Sequence, residues 1–516
     1  LFIRDYLNEV YYNTVPREEE IKNKINIFAS LGEYEPFTFA VYPLTDLRDV
    51  EVTVDDFISK DEAKISKDNV DIRVVKYLAR GIRQFIYKMA PEALFKFKKI
   101  NIKNGITTQF WFIIKIPEDA KGGIYKSKIT FKPSNGEVSS IDVNLEVLPF
   151  KLIINDTLFG WYYSGGSDET HLRRELRDMK EHGFNAMTTI MPKIAEVSSN
   201  SVNLDFKEFE NFMKICKEEG MIVNEGNISN FVSDLVAKGY KELSPQFCVL
   251  CKDAVAKTQK WLENNGYKNF LFEIFDEPRE SVLNPWNRNM EDTVKYLKLC
   301  KEIPEVKTTV IIMADKQDGK DYTQMVPFID VVNTHHWEKS KGLIKKTKEL
   351  GKVLFTNNNG YSRLSWGFDI WKAGIKGRWQ YCYTGYSKGN KVFSPVPTSF
   401  ENEGSSNTGV VYSTINEIIP SIKYEWVREG IDDYRYITTL EYYLEKLKNN
   451  TDAKGLIENA GRVIDELKKV IPEYPSTGLI TGREAGEGEV SQEGGILNNL
   501  RWKIAKSILE LSKIKN

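Results

Sequence analysis

From about residue 155 to residue 385 the chain repeats one pattern eight times: a short apolar run, then a charged stretch with helical spacing. Alternation of this kind marks βα units, whose parallel strands lie buried beneath the helices that connect them. The eight runs are LFGWYYSG, NAMTTIM, MIVNEGN, NFLFEIFDEP, KTTVIIMAD, IDVVNTHHW, KVLFTNNN and KGRWQYCYTG. Helical stretches such as FKEFENFMKICKEEG and MEDTVKYLKLCKE separate them, and Gly183 suits the C-terminal cap of the first helix. Eight units over such a length fit a (β/α)8 TIM-like barrel.

The flanks read differently. Before the barrel, FTFAVYPL, TTQFWFIIKI, IYKSKITF and SSIDVNLEV are strand-like, and Asn135-Gly136 between the last two signals a hairpin with a type I′ turn. A β-sandwich is therefore expected over 1–152, the barrel over 153–415 and a helical extension over 416–516, so the fold class is α/β plus all-β. The extension holds a long amphipathic helix around Trp426 and another at the C-terminus, separated by a Gly- and Glu-rich loop near 475–495. On the long helix, Glu429, Asp432, Asp433 and Arg435 read as a solvated or ion-paired face without chemistry.

Composition narrows the partners. With 72 basic and 73 acidic residues the net charge is −1, which gives no broad attraction for nucleic acid or anionic lipid. No apolar run reaches the roughly 18 residues that span a bilayer. The chain starts at Leu1 and shows no signal peptide; a removed leader is compatible with this, which favours a secreted or periplasmic location over a cytoplasmic one while leaving localisation open. The five cysteines are scattered, as expected of buried thiols rather than a disulfide framework. Cys248-Val-Leu-Cys251 has no second pair beside it, and His335-His336 lacks ligand spacing, so neither metal nor cofactor is expected.

The chemistry concentrates at the end of the fourth run, where Phe270 to Phe275 leads into Asp276-Glu277-Pro278. Barrel enzymes carry catalytic groups at the C-terminal ends of their strands. Two adjacent carboxyls against an apolar strand raise at least one pKa, as a general acid near neutral pH requires, and Pro278 is expected to hold Glu277 extended. Aromatic residues end other strands: Trp161, Tyr162 and Tyr163; His335, His336 and Trp337; Trp379, Tyr381 and Tyr383. Rings interleaved with carboxylates and amides suit a sugar, which has apolar C–H faces and hydroxyls. Each has a structural alternative. Asp-Glu-Pro can simply end a strand, Glu273 can be a paired structural group, the rings can be core, and Asn224, Asn333, Asn357, Asn358 and Asn359 can be turn residues.

Four segments in order resemble glycoside hydrolase family 123: Gly32-Glu33-Tyr34-Glu35-Pro36, Asp276-Glu277-Pro278, Arg363 to Trp379, and Trp426 to Tyr434. The resemblance implies a retaining β-N-acetylgalactosaminidase acting by substrate-assisted catalysis, in which the 2-acetamido oxygen replaces a carboxylate nucleophile. It implies Glu277 as acid/base and Asp276 as the group that orients the amide and stabilises the oxazolinium charge. Trp161, His335, Trp337, Asn357, Trp379, Tyr383 and Tyr412 are the candidate substrate-binding residues. Two alternatives stay open: a two-carboxylate glycosidase with Glu401 or Glu225 as nucleophile, and a non-catalytic carbohydrate-binding protein.

Overall fold

The structure is a computed structural model. It describes residues 1–514 apart from 84–85, 154, 163–167, 281–287, 336, 385–408, 414–415 and 473–492. Tyr163, His336, Glu401 and nearly all of the Gly/Glu-rich loop lie outside the described residues.

All eight apolar runs form strands: β1 Leu158–Tyr162, β2 Ala186–Thr189, β3 Ile222–Asn227, β4 Leu271–Asp276, β5 Lys307–Ile312, β6 Val331–Thr334, β7 Val353–Asn357 and β8 Gly377–Tyr381. Each pairs with its sequence neighbour, and β8 closes on β1. Every pairing is parallel. Inside, Leu158, Ala186, Leu271, Val331, Phe355 and Trp379 fill the barrel. Gly160 makes room for this filling, because a Cβ there would stand 2.1 Å from the Trp379 ring. Outside, a larger apolar layer joins the strands to their helices.

The preceding region is a sandwich of two sheets. Four strands (Tyr34–Val41, Thr108–Lys115, Val70–Arg83, Ile86–Lys96) face a seven-stranded sheet across a core that includes Phe37, Phe39, Phe110 and Phe112. The expected hairpin joins Gly123–Lys132 to Ser139–Lys151, but neither Asn135 nor Gly136 has positive φ, so the turn is not type I′. The loop is longer than two residues, and the Asn135 side chain bonds instead to the Arg48 N–H (2.7 Å) and the Asp46 carbonyl (2.9 Å).

The long helix spans Ile422–Leu447 and the last helix Glu493–Leu511; a third, Lys454–Val470, was not anticipated. The long helix touches three partners. Tyr424, Val427, Ile431 and Tyr434 pack on the barrel, Ile422 and Trp426 on the sandwich, and Tyr436, Ile437 and Leu440 on the other C-terminal helices. Its Glu429, Asp432 and Asp433 are buried, so the solvated alternative for this face fails and the ion-paired one holds. Arg363 Nε bonds Asp433 at 2.6 Å, Arg501 Nη1 bonds Glu429 at 2.7 Å, and Arg501 also approaches Glu35 (3.5 Å) and Glu33 (3.8 Å) of the sandwich.

Candidate active site

The site begins with an irregularity in β4. Strand alternation turns Leu271 and Glu273 inward and Phe272 outward, which would next send Ile274 outward, Phe275 inward and Asp276 outward. The register against β5 shifts between Glu273 and Asp276, with Glu273 opposite Thr309 and Asp276 opposite Ile311. Ile274 and Phe275 both join the outer apolar layer, Phe275 against Tyr296 at 5.1 Å, and the bulge returns Asp276 to the barrel side.

Glu277 follows with φ +47°, not extended as Pro278 led us to expect. Its N–H still bonds the Ile311 carbonyl at 3.1 Å, so the chain turns sharply while tied to β5. A non-glycine residue in this region is held there by its surroundings, and such residues cluster at functional sites. The turn points the two adjacent carboxyls to different neighbours. Glu277 Oε1 lies 3.4 Å from His335 Nε2, and its Oε2 is paired with Arg279.

Beneath Asp276 the barrel interior is acidic. Glu225 on β3 and Glu273 on β4 are buried near each other and near Tyr162, close enough for each carboxyl's charge to act on its neighbours. Burial pushes Glu225 up to about 7. Burial, then the charges of Glu225 and Asp276, push Glu273 well above the carboxylate range. Two buried carboxyls this close cannot both ionise, so this pair holds a proton. Asn227 donates to Glu273 at 2.7 Å and Asn333 to the Tyr162 hydroxyl at 3.2 Å. Asp276 itself is exposed at the mouth, yet the wall packed around its carboxyl raises its pKa, with Arg279 opposing. Among the described residues no group of three or more His, Cys, Asp or Glu could hold a metal ion.

The structure brings Asp276, Glu277 and His335 together and disperses several other candidates. Trp379 lies inside the barrel, its ring 5.7 Å from that of Tyr162. Asn357 is buried at the end of β7, opposite Trp379, and Trp337 is buried with its backbone N–H donating to Asn359 Oδ1 (3.0 Å). Trp161 faces the helical layer, against Phe184, Trp366 and Tyr424, because strand alternation turns Tyr162 inward instead. Tyr383 is also outside the barrel axis, donating to Asp178 of the first helix at 2.7 Å. Tyr412 is half-buried on a small hairpin opposite Ile419. Arg279 escaped the sequence reading; its signal was a cation two positions beyond the paired acids.

Residues 8–133 match the sequence profile of the glycoside hydrolase 123 N-terminal domain. The fold matches that of a family 123 glycoside hydrolase from Clostridium perfringens, described for glycolipid glycan hydrolysis, with TM-score 0.72 and 15% identity over 98% of this chain and 99% of that one. An endo-1,4-beta-mannanase from Rhizomucor miehei aligns at 11% identity over 51% of this chain and 89% of its own, with TM-score 0.34. A family 39 glycoside hydrolase from Bacteroides cellulosilyticus aligns at 13% identity over 76% and 82%, with TM-score 0.36. No curated protein sequence matches this chain. The resemblance to family 123 thus holds in the N-terminal domain's sequence and in the fold of the whole.

Proposed function

We propose that this chain, with its family 123 N-terminal domain and fold, is a retaining exo-glycosidase that releases a β-linked N-acetylhexosamine, N-acetylgalactosamine first among them, by substrate-assisted catalysis. The domain and fold support a glycosidase. The finer reading is carried by one observation: two adjacent carboxyls at the barrel mouth, both near Arg279, of which Asp276 stands over the acidic interior and Glu277 against His335.

In this reading Glu277 gives its proton to the glycosidic oxygen as the C1–O bond breaks and its electron pair leaves with the aglycone. The acetamido oxygen forms the new bond to C1, and ionised Asp276 accepts the acetamido N–H as that group becomes positive. Water then attacks C1, returns a proton to Glu277 and reopens the ring with retained configuration. Arg279 pairs with the Glu277 carboxylate between the two steps. The buried, proton-sharing Glu225 speaks against a two-carboxylate mechanism, since a nucleophile must be ionised and reach the sugar.

Hydrolysis of aryl β-N-acetylgalactosaminide, β-N-acetylglucosaminide and plain β-galactoside tests this. Turnover of an acetamido sugar alone, with kcat/KM for a poor leaving group falling about 10²–10⁴-fold in Glu277→Gln, is the expected result. Cleavage of the plain galactoside that survives Asp276→Asn overturns the mechanism. Binding of sugar without turnover would favour the carbohydrate-binding alternative.

A further inference from the structure

His335 lies against Glu277, and what it offers that carboxyl depends on which of its nitrogens carries hydrogen. The answer comes from Asn358, just beyond β7. Its backbone has φ +51°, and its N–H bonds the Trp379 carbonyl at 3.2 Å. Its side-chain Oδ1 accepts the Tyr381 backbone N–H at 2.7 Å. A backbone N–H can only donate, so this contact identifies the oxygen end of the amide. The other end, Nδ2, stands 2.7 Å from His335 Nε2 and donates to it. Two hydrogens do not fit in that gap, so Nε2 is an acceptor and the neutral ring carries its hydrogen on Nδ1. His335 is buried and its backbone is fixed: its main-chain N–H bonds the Ile312 carbonyl at 2.8 Å, and its main-chain carbonyl accepts from Ser340 Oγ at 2.6 Å.

We propose that Asn358 is a positioning residue for the acid: by donating to His335 Nε2 it holds the ring neutral and leaves no hydrogen on that nitrogen to give Glu277, so it withholds a hydrogen bond that would favour the ionised acid. This rests on the reading of Glu277 as acid/base and adds the device that keeps its proton available. Of the other groups around Glu277, Arg279 favours its ionised form, so the proton's availability depends on the ring adding no second donor. Arg279 meets the other carboxylate oxygen and steadies the ionised state after proton transfer, Asp276 precedes it on β4, and Tyr162, Glu225 and Glu273 lie beneath. During cleavage the proton passes from Glu277 to the glycosidic oxygen and returns from water. His335 neither gains nor loses one.

Asn358→Asp tests the proposal, because its carboxylate can only accept at the position where the amide donates. The ring must then present a hydrogen at Nε2, and the added carboxylate beside it favours the imidazolium next to Glu277. With aryl N-acetylhexosaminides, kcat/KM for poor leaving groups should fall by about tenfold or more and the alkaline limb of its pH profile should move down by about one unit. The dinitrophenyl substrate, whose departure needs no proton, should keep its rate. Nitrogen-15 spectra of the four histidines, with His335→Asn supplying the assignment, read the ring directly and require no turnover. Wild type should show His335 protonated on Nδ1 alone, and Asn358→Asp should show both nitrogens protonated. A wild-type ring with hydrogen on Nε2, or equal losses for good and poor leaving groups, overturns the proposal. Failure of the acid assignment looks different: Glu277→Gln would then show no dependence on leaving group.

Discussion

Asp276 and Glu277 share a peptide bond and a cationic neighbour, Arg279, but only Asp276 sits over the acidic interior and only Glu277 lies against His335. In the proposed mechanism Asp276 must be ionised to accept the acetamido N–H, yet burial raises its pKa and Arg279 holds it back. Activity should therefore be lost on the acid side at a pH above the ordinary aspartate value. Arg279→Ala removes the opposing cation, so Asp276 should rise further and the acid limb of kcat/KM should move to higher pH. An unmoved limb would show that Asp276 does not govern it. Asp276-Glu277 was legible in the sequence because residue type and strand-end position are local facts. Arg279 and Asn358 were not assigned these roles, since their importance lies in atoms contributed by other strands.

At the scale of elements, the barrel was legible strand by strand, because eight apolar runs separated by amphipathic helices admit few other arrangements. The β4 bulge was not. Nothing in Glu273-Ile274-Phe275-Asp276 announces that two successive apolar residues face outward; the pocket beside Tyr296 and the register against β5 decide it. Trp161 and Tyr162 show the same limit, since both rings suit a sugar and only the phase of β1 decides which one looks inward. The helix contacts are equally close. A Cβ on Gly430 of the long helix would stand 2.4 Å from the Arg363 carbonyl oxygen, which belongs to backbone and cannot rotate away. Gly430→Ala should destabilise the protein by about 2–3 kcal/mol, read as a lowered Tm and denaturant midpoint.

At the scale of the molecule, three of the four segments that resembled family 123 meet away from the chemistry. Glu33 and Glu35 from the sandwich and Glu429 and Asp433 from the long helix converge on Arg501 of the last helix, and Arg363 beside the barrel joins them through Asp433. Breaking a buried pair leaves an uncompensated charge, so Arg501→Met should cost about 3–5 kcal/mol and lower Tm. The same network links stability to pH. Burial first, then the charge of Asp432, raises Glu33 to about 7, and Glu225 in the barrel also stands at about 7. An unfolded glutamate titrates near ~4.3, so between about 4.3 and 7 these two groups hold more protons in the fold than in the unfolded chain. Their contribution is present at low pH and lost as pH rises through that window. Tm should fall from about pH 5 to about pH 7.5, and the slope should flatten in Glu33→Gln; an unchanged slope would exclude Glu33 as its source.

By itself the sequence determined the elements and the chemical inventory: the strand–helix alternation, the sandwich strands, and the two acids at the end of the fourth strand. These follow from periodicity and from short-range backbone preferences, which act within a few residues. Tertiary structure alone decided which face each residue presents. It sent Trp161 and Tyr383 into the helical layer, returned Asp276 to the barrel mouth through a bulge, and gave Glu277 a positive φ where Pro278 argued for extension. It also turned an ordinary run of asparagines after β7 into the holder of His335. The reason is that facing and hydrogen-bond polarity are settled by register between strands far apart in the chain, and no local pattern carries that information.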